Sequence, residues 1–211
     1  MEIFKLVFSP IEVNTYIVAD DDGNCVIIDC GCYYPEEEES LLDFLAARKL
    51  KPVRLLNTHC HLDHIFGNEM LFKKFGLRPW SSELEESNRK NSPQHAMLFG
   101  LRMDPSPEPE KFIVAGETLD CGSIQFQVFP VPGHTVGSLA FYSVALNCVF
   151  TGDALFSGTI GRTDLPGGNL DTLLASIKGN LLTLPEETVV YPGHGPETTI
   201  AIEKRTNPYL V

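Results

Sequence analysis

Short apolar runs and amphipathic stretches alternate along the chain and divide it into strands and helices. In the first third, apolar runs at residues 3–18, 25–29 and 53–57 predict strands, and the polar segment 20–24 predicts the turn of a hairpin. Pro35 is followed by four glutamates and predicts the start of a helix. Proline suits the first helical turn, and carboxylates suit the positive end of the helix dipole.

The rest of the chain continues this mixed pattern. Further strands are predicted at residues 111–114, 124–131, 139–144, 148–151 and 188–191. Further helices are predicted at residues 65–75, 169–182 and 198–205, and a helix in pieces, broken near Pro93, at residues 83–101. Strands and helices in this order predict an α+β fold.

The segment 93–109 is rich in methionine and proline and has no clear period. We interpret its apolar residues, from Met97 to Met103, first as core packing. The second interpretation is a flexible lid over an active site, because methionine-rich loops adapt to varied ligands.

Length, charge and cysteine content narrow the class of protein. The 211 residues are expected to form one domain, 1–211, with a sizeable core. A formal net charge of −12 disfavours nucleic acid as a partner, because phosphate backbones need a basic surface. The sequence has neither a long apolar run nor a cationic leader, so we expect a soluble, cytoplasmic protein without a membrane partner. The six cysteines lack the framework of a secreted scaffold and are expected to be reduced; the oligomeric state is not predicted.

Histidine marks the candidate chemistry. The segment from Thr58 places His59, His61, Asp63 and His64 between a predicted strand and a predicted helix. A loop at that place can turn several side chains toward one point, which a regular strand cannot do. Imidazoles and a carboxylate at this spacing predict a metal site.

Two Pro-Gly-His triplets and one aspartate at the end of a strand add further candidate ligands. His134 and His194 each follow a predicted strand, where proline and glycine interrupt the sheet and let the backbone turn. Asp153 follows the strand 148–151. A single Pro-Gly-His is a weak signal, but five of the six histidines fall in these three places. With the carboxylates of Asp63 and Asp153 they make seven ligands, too many for one tetrahedral zinc and suited to two metals with open positions.

These residues carry a resemblance to a known family. The order Thr58-His59-x-His61-x-Asp63-His64, followed by His134, Asp153 and His194, resembles the metallo-β-lactamase superfamily. Within that superfamily, the segments 152–156, 161–164 and 193–196 are similar to the short bacterial glyoxalase II-like hydrolases. The resemblance implies a four-layer αββα metallo-β-lactamase sandwich with the ligands along one edge.

The resemblance also implies roles for individual residues. It assigns His59, His61 and His134 to a first metal, Asp63, His64 and His194 to a second metal, and Asp153 to a bridge between them. The metal implied is zinc, with iron or manganese as alternatives. Asp29 would accept a hydrogen bond beneath a ligand or, from spacing alone, simply end a strand. Arg162 would be a substrate-binding cation or, equally, the partner of Asp164 in a local ion pair.

The chemistry implied is hydrolysis of a thioester, such as hydroxyacylglutathione, by a metal-bound hydroxide. Two divalent ions, the catalytic carboxylates of Asp63 and Asp153 and a bridging hydroxide leave a small positive charge that attracts an acyl group. A thiolate leaves readily because its conjugate acid has a pKa of about 8.5, so no separate general acid is needed. The predicted partner is therefore a small acyl-thiol substrate.

Other functions are compatible with the same motifs. The segments 58–61, 151–155 and 161–164 are also similar to persulfide dioxygenases, which use one iron and oxygen. The longer glyoxalase II enzymes carry a C-terminal helical extension that supplies much of the glutathione site, whereas this sequence ends at Val211. A lactone or another thioester is therefore an alternative substrate. A non-catalytic, metal-stabilised binding module is the weakest alternative, because the ligand set implies open coordination positions.

Overall fold

Fourteen strands and five α-helices make up the chain in the computed structural model, which describes residues 1–211. The strands are β1 (Glu2–Phe8), β2 (Val13–Ala19), β3 (Asn24–Ile28), β4 (Lys51–Leu56), β5 (Pro79–Ser81), β6 (Lys111–Phe112), β7 (Thr118–Cys121), β8 (Ile124–Pro130), β9 (Leu139–Ser143), β10 (Cys148–Gly152), β11 (Leu155–Phe156), β12 (Thr159–Ile160), β13 (Val189–Pro192) and β14 (Thr198–Thr199). The helices are α1 (Pro35–Ala47), α2 (Asn68–Phe75), α3 (Glu86–Leu98), α4 (Leu170–Ser176) and α5 (Ile200–Thr206). The predicted α+β class is confirmed, and none of the helices is long and apolar enough to cross a membrane.

The first of two compact units comprises residues 1–113 and 121–124. Its six-stranded sheet has the order β1-β2-β3-β4-β5-β6. The pairs β1–β2 and β2–β3 are antiparallel, and each pair from β3 to β6 is parallel. Ile17 and Ile27 from the sheet pack with Leu41 of α1 and Leu71 of α2, all without exposed surface. Burying such side chains contributes about 1.5–3 kcal/mol each, so this core fixes the position of the loops that follow β3 and β4.

The second unit comprises residues 114–120 and 125–211. Its six-stranded sheet has the order β14-β13-β10-β9-β8-β7. The pair β10–β13 is parallel, and the neighbouring pairs β8–β9, β9–β10 and β13–β14 are antiparallel. Val149 and Val190 from the sheet pack with Leu173 of α4 and with Ile177, again without exposed surface. Strands β8, β10 and β13 therefore run in the same direction and end at the same edge of this sheet.

The predicted break near Pro93 is wrong, because α3 runs through this residue without interruption. Proline has no N–H to donate to the carbonyl of residue 89, four positions earlier. The hydroxyl of Ser92 donates to that carbonyl instead, at 2.7 Å. The neighbouring serine thus satisfies the group that proline leaves without its helical donor.

The helix predicted at residues 65–75 begins later, at Asn68. Gly67 precedes it, and its N–H donates to the carbonyl of Cys30 at 2.8 Å. A Cβ at position 67 would overlap the sulfur of Cys30. This close approach fixes where the loop ends and the helix starts.

Core packing is also the wrong interpretation for the middle of the segment 93–109. Met97, Leu98 and Phe99 are 63%, 82% and 65% exposed. In the same segment Ser106 is buried, and its carbonyl accepts a hydrogen bond from Arg89 at 2.7 Å. The segment is therefore anchored at Ser106, and a role as a lid stays a prediction.

Candidate metal centre

The loop after β4 carries four of the seven predicted ligands. The ring centroid of His59 lies 4.8 Å from that of His61 and 4.0 Å from that of His64. Asp63 lies in a tight 3-10 turn, Leu62–His64, and its Oδ2 is 3.6 Å from Nε2 of His64. His59, His64 and Asp63 are buried. The loop thus gathers these four side chains within the first unit.

Asp29 lies beneath this loop, directly after β3. Its Oδ1 accepts from the N–H of Thr58 at 2.8 Å, and its Oδ2 accepts from the hydroxyl of Thr58 at 2.6 Å. The same Oδ2 lies 2.9 Å from Nδ1 of His64. Asp29 is therefore the hydrogen-bond acceptor that the family resemblance implied. It adopts a φ of 54°, the left-handed region that residues other than glycine seldom occupy.

These contacts determine which ring nitrogen of two histidines is protonated. A carboxylate can only accept, so Nδ1 of His64 donates to Asp29. The hydroxyl of Thr58 donates to Asp29 and therefore accepts from Nδ1 of His59, at 3.1 Å. In both imidazoles Nε2 is then the unprotonated nitrogen, which is the form that a metal-binding histidine takes.

The parallel pairing of β10 and β13 places two further candidate ligands together in the second unit. Gly152 pairs with Pro192, and the N–H of Gly193 donates to the carbonyl of Gly152 at 2.8 Å. Asp153 and His194 follow directly, and Oδ2 of Asp153 lies 3.6 Å from Nε2 of His194. The adjacency of the two strand ends thus accounts for the adjacency of the two side chains.

His134 joins the same group from the end of β8. Its Nε2 lies 3.5 Å from Oδ2 of Asp153. Its Nδ1 lies 2.8 Å from the carbonyl oxygen of Arg162, and because a carbonyl can only accept, Nδ1 is the donor. Gly161 packs against this pair so closely that a Cβ there would overlap the carbonyl oxygen of Asp153 and lie 3.2 Å from Nδ1 of His134.

The chemistry of these donors fits divalent metal ions. Two ligands of one tetrahedral zinc, each bonded at about 2.0–2.2 Å, lie roughly 3.3–3.6 Å apart. The separations of 3.5 and 3.6 Å from Oδ2 of Asp153 match this spacing, as does the 3.6 Å between Asp63 and His64. All three are long for hydrogen bonds. One oxygen of Asp153 therefore stands at ligand distance from two imidazoles.

Arg162 lies near this group, and its side chain pairs with Asp164. Its Nε and Nη2 donate to Oδ1 and Oδ2 of Asp164 at 2.8 and 2.7 Å. The hydrogen bond from Arg162 lowers the pKa of the Asp164 carboxyl to about 2. Both side chains are largely exposed, at 59% and 68%. The local ion pair, one of the two predicted roles of Arg162, is confirmed.

A buried polar network behind the first loop was not predicted. The amide of Asn57 donates to the carbonyl of His64 at 3.3 Å, and the amide of Asn68 donates to Asn57 and to Ser106, both at 2.9 Å. Asn57 directly precedes the loop in the sequence, and this adjacency was the one sign in the sequence that it supports the loop. Asn68 and Ser106 meet across 38 residues, and no spacing rule relates positions so far apart.

A family profile described as the metallo-β-lactamase superfamily matches residues 9–194. Among curated proteins, hydroxyacylglutathione hydrolase GloC of Haemophilus influenzae is 37% identical over 212 residues, which cover 100% of this chain and 98% of that protein. The probable metallo-hydrolase YqgX of Bacillus subtilis is 36% identical and covers 98% of this chain and 96% of its own length.

Solved structures share the fold along the whole chain. The B3 metallo-β-lactamase BLEG-1 has a TM-score of 0.93 and 34% identity, over 100% of both chains. The di-iron-bound form of TTHA1623 has a TM-score of 0.89 and 39% identity, over 98% of this chain and 100% of that one. ETHE1 from Myxococcus xanthus has a TM-score of 0.80 and 30% identity, over 99% of this chain and 84% of that one.

Proposed function

The chain belongs to the metallo-β-lactamase superfamily, and from that premise we propose that it is a dinuclear metal-dependent hydrolase of thioesters such as hydroxyacylglutathione. Membership follows from the family profile and the full-length relatives, and it confirms the predicted metallo-β-lactamase fold. The family and the full-length relatives support metal-dependent hydrolysis. The full-length similarity to hydroxyacylglutathione hydrolase GloC supports a thioester as the substrate.

We propose that all seven predicted ligands act together. His59, His61 and His134 would hold the first metal, Asp63, His64 and His194 the second, and Asp153 would serve both. The hydrogen bonds that occupy Nδ1 of three of these imidazoles support the assignment, since a ligating histidine nearly always donates from its other nitrogen. Zinc suits this mixture of imidazole and carboxylate, and iron or manganese are the alternatives. The di-iron form of a relative supports iron as one of them.

When bound, two divalent metals polarise an acyl carbonyl and supply hydroxide at neutral pH, because they lower the pKa of water to about 7. The residues of the chain set the charge around that chemistry. Asp63 and Asp153 contribute two negative charges and the imidazoles none, so a positive charge remains for the carbonyl oxygen. A thiol leaving group of pKa about 8.5 departs without a proton from a side chain. Arg162, exposed beside Asp164, would bind an anionic end of the substrate.

One observation carries the choice of a two-metal hydrolase over a one-iron oxygenase. It is the position of Oδ2 of Asp153, at 3.6 Å from Nε2 of His194 and 3.5 Å from Nε2 of His134. A carboxylate oxygen at ligand distance from two imidazoles suits a bridge between two ions, whereas a single iron would need only one of the two histidines beside it.

The test is metal content and turnover of the purified protein. We expect about two metals per chain and release of thiol from S-lactoylglutathione at equal rates in air and under nitrogen. Asp153→Ala should retain at most one tightly bound metal and lower kcat/KM by about 100-fold or more, because one carboxylate serves both ions.

Other results would lead to a different function. A single iron, with oxygen consumption on glutathione persulfide and no thioester hydrolysis, would overturn the proposal in favour of the dioxygenase alternative. Faster opening of a lactone or a β-lactam than of the thioester would retain the hydrolase and replace the substrate. The β-lactam belongs in the panel because BLEG-1 is a metallo-β-lactamase.

We further propose a cytoplasmic location and a small acyl-thiol as the partner. All six cysteines are free and buried, a state that a reducing compartment maintains. The negative charge of the chain, −12, supports a small molecule rather than nucleic acid as the substrate.

A further inference from the structure

A buried carboxylate outside the predicted ligand set contacts the first metal loop. Glu85 ends the 3-10 turn Glu83–Glu85 before α3 and has no exposed surface. Its Oε2 accepts from the N–H of Cys60 at 2.9 Å and from the side-chain amide of Asn88 at 2.9 Å. Cys60 separates His59 from His61, so this contact holds the backbone at the midpoint between two candidate ligands.

Burial of this negative charge needs a physical reason. Transfer of a carboxylate from water into the protein interior costs several kcal/mol unless hydrogen bonds and nearby positive charge compensate. Arg89 lies one turn further along α3, but it donates to both oxygens of the neighbouring Glu86, at 2.6 and 3.0 Å, so its positive charge is shared with that carboxylate. The loop beneath Glu85 is where, on the proposed function, a divalent cation would bind, and such a charge favours a carboxylate nearby.

The loop is thus held from two sides at different points. Asp29 orients His64 by contact with its ring and holds the N–H of Thr58. Glu85 holds the N–H of Cys60 from α3. Only Asp29 contacts the ring of His64, which belongs to the proposed second metal, and it reaches His59 through the hydroxyl of Thr58. Glu85 holds the backbone between His59 and His61, which belong to the first metal.

We propose that Glu85 is a positioning residue for His59 and His61 and sets the affinity of the first metal. The inference rests on the proposed function only in that these histidines hold a metal. Loss of the contact would leave the backbone between the two imidazoles free to shift. Residues that orient metal ligands in this way typically contribute about 10- to 100-fold in metal affinity.

The experiment compares two conservative variants that separate contact from charge. Glu85→Asp keeps the charge but withdraws the oxygen by about 1.5 Å, one C–C bond, and so breaks the hydrogen bond to Cys60. Glu85→Gln removes the charge but keeps an oxygen that can accept from Cys60. Glu83→Gln, exposed in the same 3-10 turn, is the matched control. Asp29→Asn serves as the comparator for the second metal.

The readout is the affinity of each of the two sites for zinc, measured by competition with a chelator, and the cobalt absorption spectrum. For Glu85→Asp we expect one site weakened about tenfold or more and the other changed less than about threefold. Glu83→Gln should stay within about threefold of wild type at both sites, and Asp29→Asn should weaken the other site. Glu85→Gln should lose less affinity than Glu85→Asp at the same site, because it keeps the contact with Cys60 and loses only the charge. Thermal unfolding of the metal-free variants checks that each one folds.

Three results would overturn the inference. They are unchanged affinity in Glu85→Asp, equal weakening of both sites in that variant, and a loss in Glu85→Gln as large as in Glu85→Asp. Wild-type protein that binds no metal would instead overturn the proposed function, and this inference with it. Two bound metals without thioester hydrolysis would change the proposed substrate and leave the Glu85 result to decide this inference.

Discussion

At the scale of single residues, three histidines donate from Nδ1 to three different kinds of acceptor. His59 donates to a hydroxyl, His64 to a carboxylate and His134 to a main-chain carbonyl. These acceptors differ in charge, and a charged acceptor makes an imidazole a stronger electron-pair donor. The carboxylate beneath His64 therefore strengthens that imidazole as a metal ligand more than a neutral acceptor would.

The first residue-scale prediction concerns Arg162→Ala. We expect KM for an anionic acyl-thiol to rise about 5- to 10-fold with kcat changed less than about twofold, because an exposed cation contributes uniform binding. The carbonyl that accepts from His134 belongs to the main chain and remains in the variant. Steady-state kinetics on an anionic and a neutral thioester measure the effect, with Lys178→Ala, an exposed cation of the same unit, as the control. Equal KM values for wild type and Arg162→Ala on the anionic substrate would leave Arg162 as a surface ion-pair residue.

The sequence was sufficient to find the candidate ligands but not the groups that orient them. His59, His134 and Asp153 stand in short motifs whose residue types reveal their chemistry. The carbonyl of Arg162 belongs to the main chain, and every residue has such a group, so no pattern of side chains distinguishes it. Glu85 contacts Cys60 across 25 residues, a separation that depends on the fold.

At the scale of elements, local chemistry explains both the correct and the wrong predictions. The helix predicted from Pro35 and its glutamates is α1, which begins at that proline. The break expected near Pro93 is absent because Ser92 bonds the carbonyl that proline leaves. Helix propensity is an average over many proteins for each residue type. It does not account for a neighbouring side chain, here the hydroxyl of Ser92, that replaces the missing N–H donor of a proline.

Gly161 leaves no space for a larger side chain beside Asp153. Gly161→Ala should destabilise the metal-free protein by about 1–3 kcal/mol or more and lower its metal content, because the new Cβ overlaps the main chain at Asp153. Gly179→Ala is the control, since no atom lies within 4 Å of a Cβ there. Urea unfolding and metal analysis measure both variants. Equal stability and metal content in the two variants would show that the loop at Asp153 shifts without cost.

At the scale of the whole molecule, each of the two units carries a buried thiol whose proton is linked to folding. Burial raises the pKa of Cys25 in β3 and of Cys148 in β10 to about 12. In the unfolded chain a thiol titrates near about 8.5. Between these two pH values the folded protein keeps the thiol proton and the unfolded chain releases it. The contribution of the buried thiol to the free energy of unfolding is therefore fully present below about pH 8.5 and declines as the pH rises above that value.

We therefore expect the free energy of unfolding to fall by about 2 kcal/mol per buried thiol between pH 8 and pH 10. Urea unfolding at both pH values measures it, and Cys148→Ala should show the smaller decline. A decline equal in the two proteins would mean that other groups account for it. A single transition in these curves would also support the prediction of one domain, 1–211, which the division into two compact units leaves as a prediction.

The backbone at Asp29 shows how evolution would act on this chain. Most residues lose about 1–2 kcal/mol in the left-handed region, aspartate loses less, and glycine adopts it readily. Asp29 is buried, however, and glycine would leave the N–H of Thr58 and Nδ1 of His64 without their acceptor. A buried donor without a partner costs about 1–3 kcal/mol, more than a relaxed backbone at this position would return. The durability of the fold and the order of the candidate site therefore depend on the same carboxylate. A laboratory search that rewards heat resistance alone would retain Asp29 even if turnover were never assayed.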